Sequence, residues 1–384
     1  MPVDSKISEL ILRLKEPSLF HRYITHEMIA PLLEKYQNTF HIESIGTSVE
    51  GRPIHGIKVG KGPQKVLMWS QMHGNESTTT KAIFDLLKGI SDKALDTSLE
   101  SCQLYIIPIL NPDGAYLYTR HNANDIDLNR DAQEMSQPES QVLRKVFDEF
   151  KPDFCFNLHG QRTIFSAGKV NKPATLSFLA PAQDKDRSLT ENRKKAMAII
   201  VTIHKELQNL IPDQIGIYND DFNINCVGDS FQSQNVPTLL FEAGHFELDY
   251  EREIVRKYML IAIVTALRTI GGSGNDLSDH SAYFQIPGNE KLFYDILIRD
   301  VKLEEDAPSV DIAIQYQEVL IDSKVEFIPK IEKIKPALKK FAHRTIFGNH
   351  NPISNAENKA IVEGNEIDFV VINNKKYSLK TDKR

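Results

Sequence analysis

The chain has 384 residues, 41% hydrophobic and 26% charged, an ordinary composition for a globular protein with a sizeable core. A net charge of −6 provides no broad basic surface, which argues against a nucleic-acid-binding protein. No apolar stretch reaches the roughly eighteen residues of a membrane-spanning helix, and the first residues do not resemble a signal peptide. The three cysteines are far apart and give no sign of a disulfide framework. We expect a cytoplasmic protein without a membrane or nucleic-acid partner.

Two apolar stripes at helical spacing lie near the start of the chain, one through Leu10 and Leu14 and one through Leu32 and Tyr36. They predict an N-terminal helical segment over residues 1–40.

Short apolar runs alternate with longer helical patterns over the next 230 or so residues. The runs typical of buried strands cover residues 65–70, 103–110, 154–158 and 236–241, and a β-hairpin over residues 40–59 precedes them. Helical periodicity marks residues 77–90, 139–150, 189–210 and 250–270. Strands that alternate with helices favour parallel pairing. We therefore predict an α/β fold for residues 41–272, in which helices flank a mixed, mostly parallel twisted sheet.

Local signals refine this outline at three places. Residues 111–114 read Asn-Pro-Asp-Gly, which predicts a turn. Ser136 and Glu139 have the spacing of a capping box at the start of a helix. Residues 160–188 have no clear pattern and predict an irregular loop.

The composition changes after the glycine-rich stretch at residues 271–274, which is typical of a flexible linker. Runs with strand character follow at residues 292–298, 309–316, 319–328 and 361–372. They predict a small β-rich C-terminal domain or extension over residues 275–384.

Ionisable side chains follow three of the predicted core strands. His73 and Glu76 follow the first, His159 ends another and Glu242 ends a third. Because the carboxyl ends of parallel strands meet at one edge of a sheet, these groups are expected to converge. Two imidazoles and one carboxylate with an open fourth position make a catalytic zinc site, and Glu242 would be a spare carboxylate beside it.

Simpler interpretations exist for each group taken alone. His73 and Glu76 could lie on a surface loop, His159 could be a core histidine and Glu242 could cap a turn. Two arginines nearby, Arg120 and Arg130, could be surface residues paired with Asp125 or Asp131. The joint spacing favours the metal site.

Several motifs in order make the chain from about residue 20 to 272 resemble the M14 zinc carboxypeptidases, the carboxypeptidase A-like family. They are His73-x-x-Glu76 with the later His159, the Asn-Pro-Asp-Gly at 111–114, the segment from Arg120 to Arg130, and the entry strand and turn at 45–52. The resemblance implies a zinc carboxypeptidase-like catalytic domain over residues 41–272.

The same resemblance implies a role for each matched position. One Zn²⁺ per chain would be held by His73, Glu76 and His159, and Glu242 would be the general base that acts on a zinc-activated water. The remaining implied roles are oxyanion stabilisation by Arg120, binding of the substrate carboxylate by Asn129 and Arg130, and closure over the substrate by a mobile tyrosine. Tyr218 is the candidate for that tyrosine, if an insertion accounts for its slightly long spacing to Glu242.

The implied reaction is hydrolysis of a C-terminal peptide or amide bond without a covalent enzyme intermediate. Asp229, ahead of Glu242, could favour a basic side chain in the substrate or be structural, and Asp127 could orient a metal ligand or an arginine. The alternative substrate is an N-acyl amino acid, since aspartoacylase and succinylglutamate desuccinylase share the metal motif and a β-rich C-terminal domain. A non-catalytic binding domain is the third hypothesis, and it is disfavoured because no ligand or base is missing. The motifs carry no signal for oligomeric state.

Overall fold

The computed structural model describes residues 13–95, 97–272, 279–355 and 360–381. They form two compact units. The larger unit extends to Gln161 and resumes from Ala174 to Asn289, and the smaller unit comprises Arg162–Pro173 and the chain from Glu290 onward. The sequence pattern did not predict that residues 162–173 group with the C-terminal unit. Leu10 of the first predicted stripe and residues 273–274 of the linker predicted at 271–274 lie outside the described residues.

A mixed sheet forms the centre of the larger unit. Its strands are β1 (His41–Thr47), β2 (Pro53–Val59), β3 (Gln64–Ser70), β4 (Cys102–Ile107), β5 (Phe154–Gly160), β7 (Leu176–Leu179), β8 (Ile215–Ile217) and β9 (Thr238–Ala243); β6 (Phe165–Ala167) belongs to the smaller unit. Within the described residues their order is β1-β2-β4-β3-β5-β9-β7-β8. The neighbours β4, β3, β5 and β9 are parallel, whereas β1-β2, β2-β4 and β7-β9 pair antiparallel. The predicted hairpin and the mostly parallel sheet are both confirmed.

Helices cover the sheet of the larger unit. They are α1 (His26–Tyr36), α2 (Thr78–Ser91), α3 (Pro112–Leu117), α4 (Pro138–Phe150), α5 (Glu191–Gln208), α6 (Val227–Ser233) and α7 (Glu253–Gly271). Side chains of β3 show why both faces are covered: Val66 and Met68 belong to one apolar cluster, and Leu67 and Trp69 belong to another. Successive strand residues point to opposite faces, so an apolar run buries both. Within the described residues, no helix has the length and apolarity needed to cross a lipid bilayer.

A buried ion pair holds the segment before α1 against two of these helices. Arg256 of α7 donates to Asp85 of α2, with Nε 2.6 Å from Oδ2, and both residues are almost fully buried. Arg256 also donates to the carbonyl of Glu16 at 2.9 Å, and the Glu16 amide donates to Asp85 at 2.7 Å. The two charges therefore satisfy each other and the backbone of the N-terminal segment at the same time.

The smaller unit is rich in β-structure, as predicted. Its strands are β6, β10 (Asn289–Lys291, of which Asn289 belongs to the larger unit), β11 (Phe293–Val301), β12 (Val310–Ile321), β13 (Lys324–Lys335), β14 (Phe341–Phe347), β15 (Ile353–Ser354), β16 (Phe369–Ile372) and β17 (Lys375–Ser378). They form three sheets in the described residues: β10-β6, β13-β12-β11-β14 and β15-β16-β17. Isoleucines of β11 and β12, among them Ile296 and Ile312, build its core.

Two predicted strand boundaries in this unit are wrong. β12 continues to Ile321, whereas the sequence pattern placed a break at Gln317 and Glu318. The chain reverses instead at Asp322 and Ser323, whose φ angles of 48° and 61° suit a tight hairpin turn. Of the predicted run 361–372, the strand comprises Phe369–Ile372.

Three further local predictions are also wrong. Asn111 caps the short helix α3 instead of starting a turn, because its side chain accepts from the Gly114 amide and a proline fills the first helical position. Ser136 bonds to Asp131, so the predicted capping box is absent and α4 starts at Pro138. The predicted irregular loop over residues 160–188 contains β6 and β7.

Candidate metal centre

The predicted metal ligands lie at the carboxyl ends of two neighbouring parallel strands. His73 and Glu76 occupy the connection from β3 to α2, and His159 is the penultimate residue of β5. Glu242 of β9 pairs in register with His159. The three parallel strands thus bring the four predicted groups to one edge of the sheet, as expected.

His73, Glu76 and His159 converge on a common point. One ligand atom from each lies within 4.8 Å of the others. The Nδ1 atoms of the two histidines are 3.1 Å apart, and each lies 2.9 Å from an oxygen of Glu76. The backbone fixes the Glu76 oxygen that contacts His159, because the Gly160 amide donates to that oxygen, Oε2, at 2.9 Å.

This arrangement suits a zinc ion. The two imidazole nitrogens, 3.1 Å apart, can both give a lone pair to a cation when their rings are neutral, and the carboxylate of Glu76 balances the charge of the cation. Two histidines and one glutamate form a three-ligand set, which leaves a coordination position for a water or a substrate. The residues therefore fit the metal that the sequence motif implies.

Asp127 contacts both His73, a predicted metal ligand, and Arg120, whereas the sequence suggested one or the other. Its Oδ1 is 3.0 Å from Nε2 of His73, which leaves Nδ1 of the ring to face the other ligands. Its Oδ2 accepts from Nε and Nη2 of Arg120 at 3.1 and 2.9 Å. Arg120 is consequently paired with Asp127, and the simpler interpretation that pairs it with Asp125 or Asp131 is wrong. Asp125 pairs instead with His121, 2.7 Å away.

The charges in this group shift one another's protonation. Burial acts against a charged His73, but Glu76 and Asp127 outweigh it and raise the pKa of His73 to about 9. Burial likewise acts to raise the pKa of Glu76, yet His73 and His159 hold that pKa well below its usual value. Burial lowers the pKa of His159, whose ring is thereby favoured in the neutral form that binds a metal.

Glu242 differs from Glu76 although both lie at the same edge. Burial, and then the negative charge of Glu76, raise the pKa of Glu242 well above its usual value. Among the described residues, none offers a hydrogen-bond partner to the buried Oε2 of Glu242. A buried carboxylate with a raised pKa and an uncommitted oxygen has the properties of a group that exchanges protons.

Asn129 and Arg130 lie on the short 3-10 helix Leu128–Arg130, which Asp127 caps by accepting from the Asn129 amide. Oδ1 of Asn129 accepts from the Val227 amide at the start of α6, 3.0 Å away. Arg130 is exposed, with Nη1 2.7 Å from the carbonyl of Asn129. These contacts fix the Asn129 amide and leave the Arg130 guanidinium accessible.

Tyr218 follows β8 and reaches the same region of the larger unit. Its hydroxyl donates to Oε1 of Gln161 at 2.7 Å. Burial, and then the negative charges of Glu242 and Glu76, raise the pKa of Tyr218 far above the usual range. Gln161 and its neighbour Asn289 had no sequence signal beyond the position of Gln161 two residues after His159.

Two further acidic residues near the motifs have structural surroundings. Asp113 is buried and accepts from the Ser48 hydroxyl at 2.7 Å and the Glu50 amide at 2.9 Å, so it fixes the turn between β1 and β2. Asp229 is buried on α6, where burial raises its pKa to about 6. The nearby charge of Arg130 acts in the opposite direction on Asp229.

The sequence of the chain is similar to those of known carboxypeptidases. Probable carboxypeptidase 2 of the fungus Arthroderma benhamiae is 26% identical over 137 residues, which are 35% of this chain and 24% of that protein. Mouse carboxypeptidase M is 26% identical over 174 residues, 38% of this chain and 39% of its own. The chain thus spans well under half the length of these relatives.

A solved structure shares the fold. The crystal structure of carboxypeptidase A from Helicoverpa armigera superposes with a TM-score of 0.53 at 16% identity, covering 71% of this chain and 81% of that chain. The sequence profile of the zinc carboxypeptidase family matches residues 25–225, slightly more than half of the chain. The matched range contains His73, Glu76 and His159. This chain therefore belongs to the M14 zinc carboxypeptidase family of hydrolases.

Proposed function

We propose that the chain is a zinc-dependent metallocarboxypeptidase that hydrolyses a C-terminal peptide or amide bond with Glu242 as general base. The observation that carries the proposal is the convergence of His73, Glu76 and His159 within 4.8 Å, with Glu242 in register opposite His159. A Zn²⁺ ion held by these three ligands would lower the pKa of a water to about 7 and polarise the scissile carbonyl.

Glu242 is suited to the proton transfers of this reaction. Its raised pKa brings it closer to the pH at which the reaction runs, where a general base is most effective. Its buried Oε2, which no described residue engages, is the atom that would take a proton from the attacking water and return it to the leaving amine.

Arg120 would stabilise the negative charge that develops on the scissile oxygen. Asp127 fixes its guanidinium through two hydrogen bonds, and Nη1 lies 3.5 Å from Oε1 of Glu76. A positive charge already in place at the metal ligands needs no reorganisation during the reaction.

Asn129 and Arg130 would bind the carboxylate of a substrate's C-terminal residue. The planar fork of Arg130 matches a carboxylate, and the fixed amide of Asn129 adds a donor without adding charge. Tyr218 would contact the same residue through its phenol. The substrate class that follows is a peptide with an unblocked C-terminus.

The test compares the purified protein with Glu242→Gln on peptides that have a free or an amidated C-terminus. We expect release of the C-terminal residue from free peptides, loss of release with a chelator, and a decrease of about 10²- to 10⁴-fold in kcat for the variant. Glu247→Gln changes an exposed carboxylate in the following segment and is the matched control. Equal rates for Glu242→Gln and Glu247→Gln would refute the assignment of the base.

The second candidate is an N-acyl amino acid amidohydrolase of the aspartoacylase and succinylglutamate desuccinylase type. The β-rich unit that starts at Glu290 favours it, since those enzymes resemble this chain in having such a domain. An acyl amino acid also presents a carboxylate to Arg130 and an amide to the metal group. Cleavage of N-acyl amino acids without cleavage of longer peptides would favour this candidate over the first.

A further inference from the structure

Gln161 lies two residues after the ligand His159, and none of the roles above uses it. It is 5% exposed, and both polar atoms of its side chain are engaged. Nε2 donates to the carbonyl of Ala174 at 2.8 Å. Oε1 accepts from the Tyr218 hydroxyl at 2.7 Å and from Nδ2 of Asn289 at 3.2 Å. The Gln161 amide therefore links the end of β5 to the tyrosine.

Asn289 is itself fixed by a second set of contacts. Its Oδ1 lies 3.0 Å from the Ser177 hydroxyl of β7, which can donate to it. Gly216 makes room for this amide, because a Cβ at that position would lie 2.0 Å from Oδ1 of Asn289. Gly244 makes room for the Gln161 amide in the same way, because a Cβ at position 244 would lie 2.5 Å from Nε2 of Gln161. Two side-chain amides thus occupy space that larger residues would close.

We propose that Gln161, supported by Asn289, is a positioning residue that holds the Tyr218 phenol beside the metal ligands before substrate binds. The proposal rests on the proposed function in one respect, the contact of Tyr218 with substrate. A phenol that is already held loses less rotational freedom when substrate binds, so the hydrogen bond lowers KM. Without the Oε1 acceptor, the tyrosine hydroxyl loses one of the contacts that hold it, and we expect its ring to become more accessible to solvent.

The first test needs no enzymatic activity. Tetranitromethane nitrates accessible tyrosines, and peptide mass mapping gives the rate at each one. Tyr116, which is 46% exposed, is the internal standard. We expect Tyr218 to react about tenfold more slowly than Tyr116 in the wild type, and its rate to rise at least about threefold in Gln161→Leu, in line with the loss of one hydrogen bond.

The second test is a double-mutant cycle on peptide hydrolysis. Gln161→Leu is expected to lower kcat/KM by about 3- to 10-fold, mainly through KM, as for the loss of one hydrogen bond. Gln161→Leu in a Tyr218→Phe background should have almost no further effect on kcat/KM, because the hydroxyl that Gln161 holds is already absent. A merely structural role for Gln161 would give independent, multiplicative losses.

Gln141→Leu is the matched control, since Gln141 lies exposed on α4 and its amide donates to the carbonyl of Met135. Asn289→Ala is a second variant in case Gln161→Leu does not fold, and it should raise the nitration rate of Tyr218 by a smaller factor. Fast nitration of Tyr218 in the wild type, or a rate unchanged in both variants, would overturn the proposal. Because nitration is read without substrate, absence of peptidase activity would contradict the proposed function and leave the positioning result intact.

Discussion

Asp127→Asn is expected to weaken zinc binding, because Asp127 contacts His73, one of the three proposed metal ligands, from outside the proposed ligand set. Its carboxylate lies 3.0 Å from Nε2 of His73, 2.9 Å from the Asn129 amide, and 3.1 and 2.9 Å from two nitrogens of Arg120. An asparagine keeps one oxygen for His73 and the Asn129 amide. Its amino group then faces the donors of Arg120, and the negative charge is lost.

The size of the effect follows from these contacts. A hydrogen bond to a charged group contributes about 1.5–3 kcal/mol, and two such bonds to Arg120 are lost. Arg120 is 44% exposed, so water replaces much of that interaction. We therefore expect a net loss of about 1.4–2.8 kcal/mol in zinc binding, or a 10- to 100-fold higher Kd, the range typical of such supporting residues.

Competition with a fluorescent zinc chelator measures this Kd directly. Asp125→Asn is the matched control in the same loop, since its carboxylate is 93% exposed and pairs with His121 away from the ligands. We expect the control to stay close to the wild type. An unchanged Kd for Asp127→Asn, or an equal loss in both variants, would refute the reasoning.

Three further predictions concern stability and reactivity. Asp85→Ala should lower the free energy of unfolding by up to about 3–5 kcal/mol in chemical denaturation, because it removes the most buried carboxylate partner of Arg256 and leaves Glu253, 3.2 Å away, as the remaining one. Burial lowers the pKa of His343, which donates to the carbonyl of Thr163, from 6.5 to about 4. As the pH falls, the unfolded chain therefore takes up a proton at this histidine that the folded chain does not. The free energy of unfolding should decrease by about 1–2 kcal/mol between pH 7 and 5, allowing for partial exposure of His343. His343→Gln should remove this part of the pH dependence. N-ethylmaleimide should label Cys226 before the other two cysteines in the folded protein, since both of those are buried.

Each of these three predictions would be contradicted by one specific result. Arg144→Ala breaks an exposed pair with Asp148 and should cost under about 1 kcal/mol, so an equal loss for Asp85→Ala would show that burial of the pair is unimportant. Parallel stability curves against pH for the wild type and His343→Gln would exclude His343 as the titrating group. Labelling of Cys155 at the same rate as Cys226 would show that β5 is accessible.

The centre of the fold could be predicted because its sequence pattern has one physical cause. An apolar run such as β3 must bury both faces, which requires a parallel sheet covered by helices on both sides. Polar residues such as His73 and His159 at the ends of such runs then fall at one edge. The convergence of His73, Glu76 and His159 was predictable for this reason, and their role as metal ligands stays a prediction.

Predictions that depended on local sequence alone were less reliable. The Asn-Pro-Asp-Gly stretch forms a turn or starts a helix with equal local ease, and the contacts of Asp113 with the β1-β2 hairpin turn lie more than 60 residues away. The end of β12 was misplaced because Gln317 and Glu318 look like turn residues, although they pair with β13. In both cases partners distant in the sequence decide the structure.

The support of Tyr218 could not be read from the sequence for a similar reason. Gln161 and Asn289 are 128 residues apart, and a lone glutamine or asparagine has no distinguishing pattern. Gly216 and Gly244 also gave no sequence signal, since each glycine makes room for a side chain from another part of the chain.

The most direct test of the metal centre is the zinc content of the purified wild type and of His159→Ala after equilibration with zinc, measured together with release of C-terminal residues from peptides. We expect about one zinc ion per wild-type chain and chelator-sensitive release. Both should be lost in His159→Ala, since two of the three ligands do not suffice for a stable site. A wild type that binds no zinc, or a variant that binds as much zinc as the wild type, would contradict the assignment of His73, Glu76 and His159 as the metal ligands.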